Sequence, residues 1–238
     1  MKNQKDMGRS EVSDFFDTHF GDYDDWISKV VPFYDELQTQ IINVIGCFYP
    51  DKNVSINVLE LGVGSGTTAK HILSNYPNTN ITGIEFSDEM IKLAKNKLKK
   101  YKKKLQILKA DFMDVELPPG KYDVIISSLS IHHYKIEDIR RLMKKLHSAL
   151  KSGGIFINAD IVKFRSPEYS GQAHKVYLDF LRENLCDESA IKVWERHIEL
   201  QDNPSPLEDL LINLAQSGFR DVAVSFRFWG FAVYSGRK

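Results

Sequence analysis

The chain has 238 residues, 42% of them hydrophobic, and its 32 Lys and Arg are balanced by 32 Asp and Glu. That length holds one large α/β domain, or one domain with a lid, rather than two full domains. Zero net charge gives no electrostatic footprint for nucleic acid or a membrane surface. Cys47 and Cys186 fit no metal or redox spacing and read as free thiols in a reducing cytoplasm. The polar start, with Lys2, Lys5, Asp6 and Arg9, lacks the apolar core of a signal peptide, and no run is long enough to span a bilayer.

The first predicted unit covers about residues 10–50 and is rich in aromatic side chains: Phe15-Phe16, Phe20, Tyr23, Trp26 and Phe33-Tyr34, followed by Ile41-Ile42. The sequence then becomes more regular. Val58-Leu59-Glu60-Leu61 is an apolar run with an acid near its end, leading into a loop with glycine at 62, 64 and 66. Glycine tolerates φ > 0 and lets a ligand approach bare backbone. With a strand before it and a helix after it, such a loop cradles a nucleotide-type cofactor at a helix N-terminus. It lacks the Lys-Ser/Thr ending of a P-loop, and its glycine spacing differs from the dinucleotide fingerprint, which disfavours NTP hydrolysis and hydride transfer with NAD.

A helix starts near Thr67-Thr68-Ala69 and is stopped by Tyr76-Pro77-Asn78. Ile81-Thr82-Gly83-Ile84-Glu85 is a second short strand ending in an acid, placed to accept hydrogen bonds from ribose hydroxyls. Ser87 caps a helix carrying Met90, Ile91, Leu93, Ala94 and Leu98, which runs into seven lysines between Lys95 and Lys104. With neutral overall charge and only Tyr101 among them, these lysines read as a solvated helix end rather than an RNA surface. A third strand, Leu105–Ala110, leads to Asp111-Phe112, a carboxylate beside a ring that suits an adenine. Tyr122–Ser128 is the fourth strand, with Leu129 to His133 following, and Leu150–Gly154 turns into a fifth at Ile155-Phe156-Ile157. A last helix at Leu207–Ser217 ends on Gly218, before strands at Val222–Phe226 and Gly230–Tyr234. Strand, turn and helix in alternation describe a parallel sheet covered on both faces.

In this order the motifs resemble the class I S-adenosylmethionine-dependent methyltransferases, from about Val54 to the C-terminus. The resemblance implies a Rossmann-like class I methyltransferase fold: a mostly parallel seven-stranded sheet with an antiparallel last strand, helices on both faces and a helical lid. It implies a domain at 54–238 that binds S-adenosyl-L-methionine, with a lid insertion at about 163–205 and an N-terminal helical lid segment at 1–53. Glu60, Gly62, Gly64 and Gly66 would wrap the methionine end, Glu85 would hold the ribose, and Asp111 with Phe112 would meet the adenine. Phe86, Met90, Ser127 and Ser128 complete the expected cofactor set.

Methyl transfer is an in-line displacement for which the protein positions a nucleophile, excludes water and, for a hydroxyl or ammonium acceptor, takes up a proton. His132 and His133 follow the fourth strand at the sheet edge where ligands bind, and are the candidate bases. Asp160, just past strand five, is a third candidate, to bind an amine or act as base; each of the three could instead brace a loop. No His/Asp/Glu cluster has ligand spacing, so no catalytic metal is expected. The insertion contains Tyr169, His174, Tyr177, Phe180, Trp194, Arg196 and His197. Together with the N-terminal aromatics it could roof a pocket for a small-molecule acceptor, or pack helix on helix as core. The substrate candidates are Tyr23, Trp26, Tyr34, Arg165, Tyr177 and Arg196. Val31-Pro32-Phe33-Tyr34, Gly218-Phe219 and the aromatic ending are also similar to the carboxy-S-adenosylmethionine synthases, which load a carboxyl group from prephenate onto the same cofactor. A non-catalytic module that binds the cofactor is the third possibility. The expected setting is a cytoplasmic protein, with a homodimer possible.

Overall fold

The computed structural model describes residues 23–238, so Phe15, Phe16 and Phe20 lie outside the described residues. Seven strands form one sheet in the order β3-β2-β1-β4-β5-β7-β6. They are β1 (Asn57–Leu61), β2 (Asn80–Glu85), β3 (Leu105–Lys109), β4 (Tyr122–Ser128), β5 (Leu150–Ile161), β6 (Arg220–Phe228) and β7 (Phe231–Arg237). β1 to β5 pair in parallel, and β7 lies antiparallel between β5 and β6. From β1 the chain winds outward through β2 to β3 and then returns to add β4 on the other side of β1. That reversal opens a crevice at the carboxyl ends of β1 and β4, where open α/β sheets take their ligands.

Strands buried on both faces read as continuous apolar runs, and here successive side chains serve two different cores. Val58, Val124, Ile126, Ile155 and Ile157 pack with Leu37, Ile41 and Ile45 of α2 (Tyr34–Phe48) and Ile72 of α3 (Thr67–Asn75). Their neighbours Leu59, Ile125 and Phe156 pack on the other face, with Leu142 and Leu146 of α5 (Ile136–Ala149) and Leu210 and Leu214 of α8 (Leu207–Gln216). α5 shows how such a helix is specified. Ile139, Leu142, Met143 and Leu146 recur at helical spacing and are buried, while Arg140, Arg141 and Lys144 lie between them. α4 (Asp88–Lys97) begins where expected, with Ser87 Oγ accepting from the Met90 amide.

Three expectations need correction. The 1–53 segment is not one lid: α1 (Tyr23–Val30) packs on α6 (Pro167–Leu185), whereas α2 lies against β5, β6 and β7 as part of the core layer. Strand five starts at Leu150, runs through Gly153 and Gly154, and continues to Ile161, so Asp160 lies within it, paired with Ala232. Trp26 and Tyr177 are joints of the lid rather than walls of a pocket. Trp26 is fully buried, edge-on to Trp194 of α7 (Glu188–Gln201), with ring centroids 5.8 Å apart. The Tyr177 hydroxyl donates to Val30 O at 2.8 Å and accepts from Trp194 Nε1 at 2.6 Å. Among the described residues no helix is long and apolar enough to cross a membrane.

These joints give a stability test. Trp26→Ala removes a fully buried ring and is expected to cost about 3–5 kcal/mol in urea unfolding. Tyr177→Phe, which strands the Val30 carbonyl and the Trp194 N–H, is expected to cost about 1–3 kcal/mol. Losses below half a kcal/mol for both would show that α1 is not docked through these side chains.

Candidate functional site

The glycine loop is shaped by close approach. Gly62 has φ +66°, its amide donates to Ile84 O at 2.9 Å, and a Cβ there would lie 2.1 Å from Ser130 Oγ. The loop is therefore pressed against the segment that follows β4, and only glycine fits. Gly64, also at positive φ, faces open space with nothing within 4 Å of where its Cβ would be, which leaves bare backbone for a ligand.

Two buried acids stand on either side of this loop. Glu85, at the tip of β2, accepts from the Gly64 amide at 3.0 Å with Oε2, and from the Phe86 and Ser87 amides at 2.9 Å with Oε1. Each carboxylate oxygen has two lone pairs, so Oε2 retains capacity for a hydroxyl. Glu60 is 1% exposed, and its Oε2 has no hydrogen-bond partner among the described residues. Burial first, then the neighbouring Glu85, pushes its pKa up to about 8, against a hydrogen bond from the Ala69 amide that favours the carboxylate. Asp111 Oδ1 accepts from the Met113 amide at 2.8 Å and from the Tyr134 hydroxyl at 2.9 Å. The Tyr134 ring lies 5.1 Å from the buried Phe112, giving an acid beside two rings. Ser127 is buried with Oγ unpartnered, Ser128 Oγ accepts from Gln38 Nε2 at 3.2 Å, Met90 is half-buried and Phe86 is 52% exposed.

Several polar contributors to this end of the site carry no motif. Asp24 of α1 accepts from Ser65 Oγ at 2.6 Å and Thr67 Oγ1 at 3.1 Å and forms an ion pair with Lys97, whose Nζ donates to the same two hydroxyls at 2.8 Å. Burial works to raise Asp24, but Lys97 and the hydroxyls hold it below the usual carboxylate range. Tyr23 is pushed up to about 12 by burial, with Asp24 and Glu85 adding to it, and burial also raises Tyr34, which is hydrogen-bonded to Thr67. Both tyrosines, expected at the substrate, thus sit by the glycine loop. A cleft of about 280 Å³ opens on the outer side of this group, lined by residues including Asp24, Tyr34, Thr67, Lys70 and Lys97. It borders the α3 N-terminus but is not lined by Glu85, Asp111 or His133, so the cleft and the crevice are separate places.

The second group stands at the tips of β4 and β5. Asp160 is 1% exposed and accepts from the Ile131, His132 and Ile161 amides, from Asn158 Nδ2 and from His132 Nδ1. With all these donors in place it braces the loop, the alternative that the sequence offered for this residue. His132 is buried between Asp160 and Asp202; burial would lower its pKa, but the two carboxylates push it up to about 10. His133 is different: its side chain is 40% exposed, with Nδ1 3.1 Å from Asp202 Oδ1. Asp202 follows α7, 70 residues beyond His132, and no local signal in the sequence points to it. The expectation that no His/Asp/Glu cluster forms is therefore corrected, because the fold gathers His132, His133 and Asp202 with ligand-type atoms within 4.8 Å of one another. Of the arginines, Arg165 is exposed and paired with Asp209, and Arg196 is exposed on α7.

Comparison with known proteins places this geometry. A methyltransferase-domain profile matches residues 58–154. The carboxy-S-adenosyl-L-methionine synthase of Nautilia profundicola is 25% identical over 212 residues, 89% of this chain and 88% of that one. The malonyl-[acyl-carrier protein] O-methyltransferase 2 of Ilyobacter polytropus is 33% identical over 133 residues, 55% of this chain and 50% of that one. Among solved structures, phosphoethanolamine N-methyltransferase 2 of Haemonchus contortus, in complex with S-adenosyl-L-methionine, has the same fold. Its TM-score is 0.66 at 16% identity, covering 94% of this chain and 59% of that one.

Glu60 supplies a pH test on the ligand-free protein. Its folded pKa of about 8 lies above the ordinary 4.5. Its contribution to stability is therefore full below about pH 4.5 and is lost as pH rises to about 8. Glu60→Gln removes that loss, so its melting temperature should gain on the wild type steadily from pH 6 to pH 8.5 or so. A difference that does not change with pH would mean Glu60 is not held neutral.

Proposed function

We propose that this chain, which a methyltransferase-domain profile matches over residues 58–154, is a class I S-adenosylmethionine-dependent methyltransferase that carries the cofactor's methyl group to an oxygen or nitrogen of a small-molecule acceptor. S-adenosylmethionine is its cofactor. The observation that carries the acceptor reading is the half-exposed His133, held by a lid residue, Asp202, at the tip of β4. Of the three candidate catalytic groups, His132 and Asp160 are buried and paired with each other, which makes them positioning residues. His133 is the one whose side chain is partly exposed and so within reach of an acceptor.

The cofactor supplies an electrophilic methyl group when bound; the chain's own residues bind and orient. Glu60 and the Gly64 backbone would receive the methionine end, Glu85 the ribose, and Asp111 with Phe112 and Tyr134 the adenine. Glu60 suits an ammonium: a buried acid with an unpartnered oxygen becomes a carboxylate once a cation arrives beside it. The exposed, unpaired Cys47 and Cys186 accord with a reducing cytoplasm.

A second reading has its own support. The likeness to carboxy-S-adenosyl-L-methionine synthases spans about nine-tenths of the chain, including the lid helices, whereas the likeness to the O-methyltransferase stops at 55%. On that reading the cofactor is itself remodelled. Mass spectrometry of ligand carried through purification separates the two: S-adenosylmethionine or S-adenosylhomocysteine is expected, and a carboxylated cofactor would transfer the assignment to the second reading. Calorimetry should show submillimolar binding of S-adenosylmethionine, with Glu85→Ala weakening it about ten- to hundredfold through lost charge-assisted hydrogen bonds. Unchanged affinity would refute the ribose assignment.

A further inference from the structure

We propose that His132, His133 and Asp202 bind a first-row divalent cation of the zinc type, with Asp160 orienting His132 from behind. Asp202 Oδ1 lies 3.3 Å from His132 Nε2 and 3.1 Å from His133 Nδ1. Ligand atoms about 2.0–2.2 Å from a tetrahedral ion lie about 3.3–3.6 Å from one another, so both separations are near those of atoms sharing one metal. Both rings are within ion-pair reach of Asp202 Oδ1, yet neither N–H is well aligned with it, although its side chain is only 3% exposed. His133 Nδ1 also donates to Gln201 O at 3.3 Å, a contact that it gives up when its lone pair turns to a cation. A buried carboxylate oxygen without a well-aligned hydrogen bond is costly unless something else meets it.

The surroundings are those of a ligand set. His132 Nδ1 is held by Asp160, so Nε2 is the nitrogen that faces Asp202 and the one whose proton a cation would displace. Asp160 is itself fixed by the Ile131, His132 and Ile161 amides and by Asn158 Nδ2. Asn203, next to Asp202, ties the two segments together: its amide donates to His132 O at 2.8 Å and its side chain to His133 O at 3.2 Å. One more imidazole stands beside the group. His197 is stacked on Trp194, its Nδ1 is buried without a hydrogen-bond partner among the described residues, and Asp202, His133 and His132 are its ionisable neighbours.

Two imidazoles and one carboxylate are borderline ligands that suit zinc and its neighbours better than magnesium or calcium. Three protein ligands leave a tetrahedral ion one open position, the pattern of sites that take a substrate atom rather than of closed structural sites. The cation itself does not depend on the methyl-transfer reading. Its consequence does rest on that reading: the open position would hold an acceptor through a hydroxyl, thiol or carboxylate and lower the pKa of a bound hydroxyl or thiol.

The test uses untagged full-length protein, stripped with a chelator and titrated without cofactor, first with zinc chloride and then with cobalt(II) chloride. One ion per chain is expected, with the visible bands of a tetrahedral cobalt site. His133→Ala should lower affinity at least tenfold and abolish those bands, and Asp160→Asn should lower affinity about ten- to hundredfold through the orientation of His132. His174→Ala, at an exposed histidine of α6, should change nothing. Asp202→Asn also loosens the lid, so His133→Ala, at a half-exposed position, decides the matter. Zinc binding unaltered by His133→Ala, or no ion bound by the wild type at micromolar concentration, would overturn the site. Calorimetry with S-adenosylmethionine is read separately, so loss of the metal site leaves methyl transfer standing, and absent cofactor binding leaves the metal site standing.

Discussion

Three buried carboxylates at the carboxyl edge of one sheet are the constraint on which this structure turns. Glu60, Glu85 and Asp160 stand near or at the ends of β1, β2 and β5, each 6% exposed or less. A buried charge is expensive unless it is hydrogen-bonded or paired. Glu85 and Asp160 meet that demand with backbone amides, and amides converge on a side chain only if the loops supplying them are bent to fit. The glycine loop turns at Gly62 and Gly64 so that the Gly64 amide reaches Glu85, and the turn after β4 folds so that the Ile131 and His132 amides reach Asp160. Glu60 receives one amide and keeps an oxygen unpartnered. The same need for compensation thus builds the two loops of the crevice and leaves one acid with an oxygen unmet by the described residues.

The lid obeys the same electrostatics. It holds itself together by aromatic packing, with Trp26 against Trp194 and Tyr177 hydrogen-bonded to both Val30 and Trp194. Where it meets the sheet edge, two of its acids face cations: Asp24 of α1 meets Lys97 of α4, and Asp202 after α7 meets His132. The His132–Asp202 pair is buried, so losing one partner leaves the other as an unpaired buried charge. A lid attached in this way is sensitive to what enters beneath it, since a ligand that competes for Lys97 or for Asp202 changes the attachment as well as the site.

How much of this was legible follows from where each signal resides. The strands, the acids at their tips and the glycine loop were readable because each is local: apolar residues, an acid and a turn within a dozen positions. Even so, Asp160 was misplaced, because Gly153-Gly154 read as a turn whereas the strand runs through them from Leu150. α2 was grouped with the lid because its aromatic start, Phe33-Tyr34, resembled the lid; its buried stripe of Leu37, Ile41 and Ile45 belongs to the sheet. The partnership of Asp202 with His132 and His133 was beyond reach, since it joins positions 70 residues apart through a helical insertion of irregular spacing. Asp24 and Tyr134 were missed for the same reason, each being a single polar residue whose meaning comes only from what the fold sets beside it.

The division between local and assembled signals is also a division of labour. The residues proposed for the donor sit on strand tips and the turns directly after them, so their positions follow from the sheet, and a solved structure at 16% identity has the same sheet. The residues proposed for the acceptor come from the ends of β4 and β5 and from the lid at once, so a change in the lid would move them without disturbing the glycine loop. That is why His133 carries information that the glycine loop cannot. It lies one residue from a histidine fixed by the sheet through Asp160 and touches an acid supplied by the lid, so its surroundings register both.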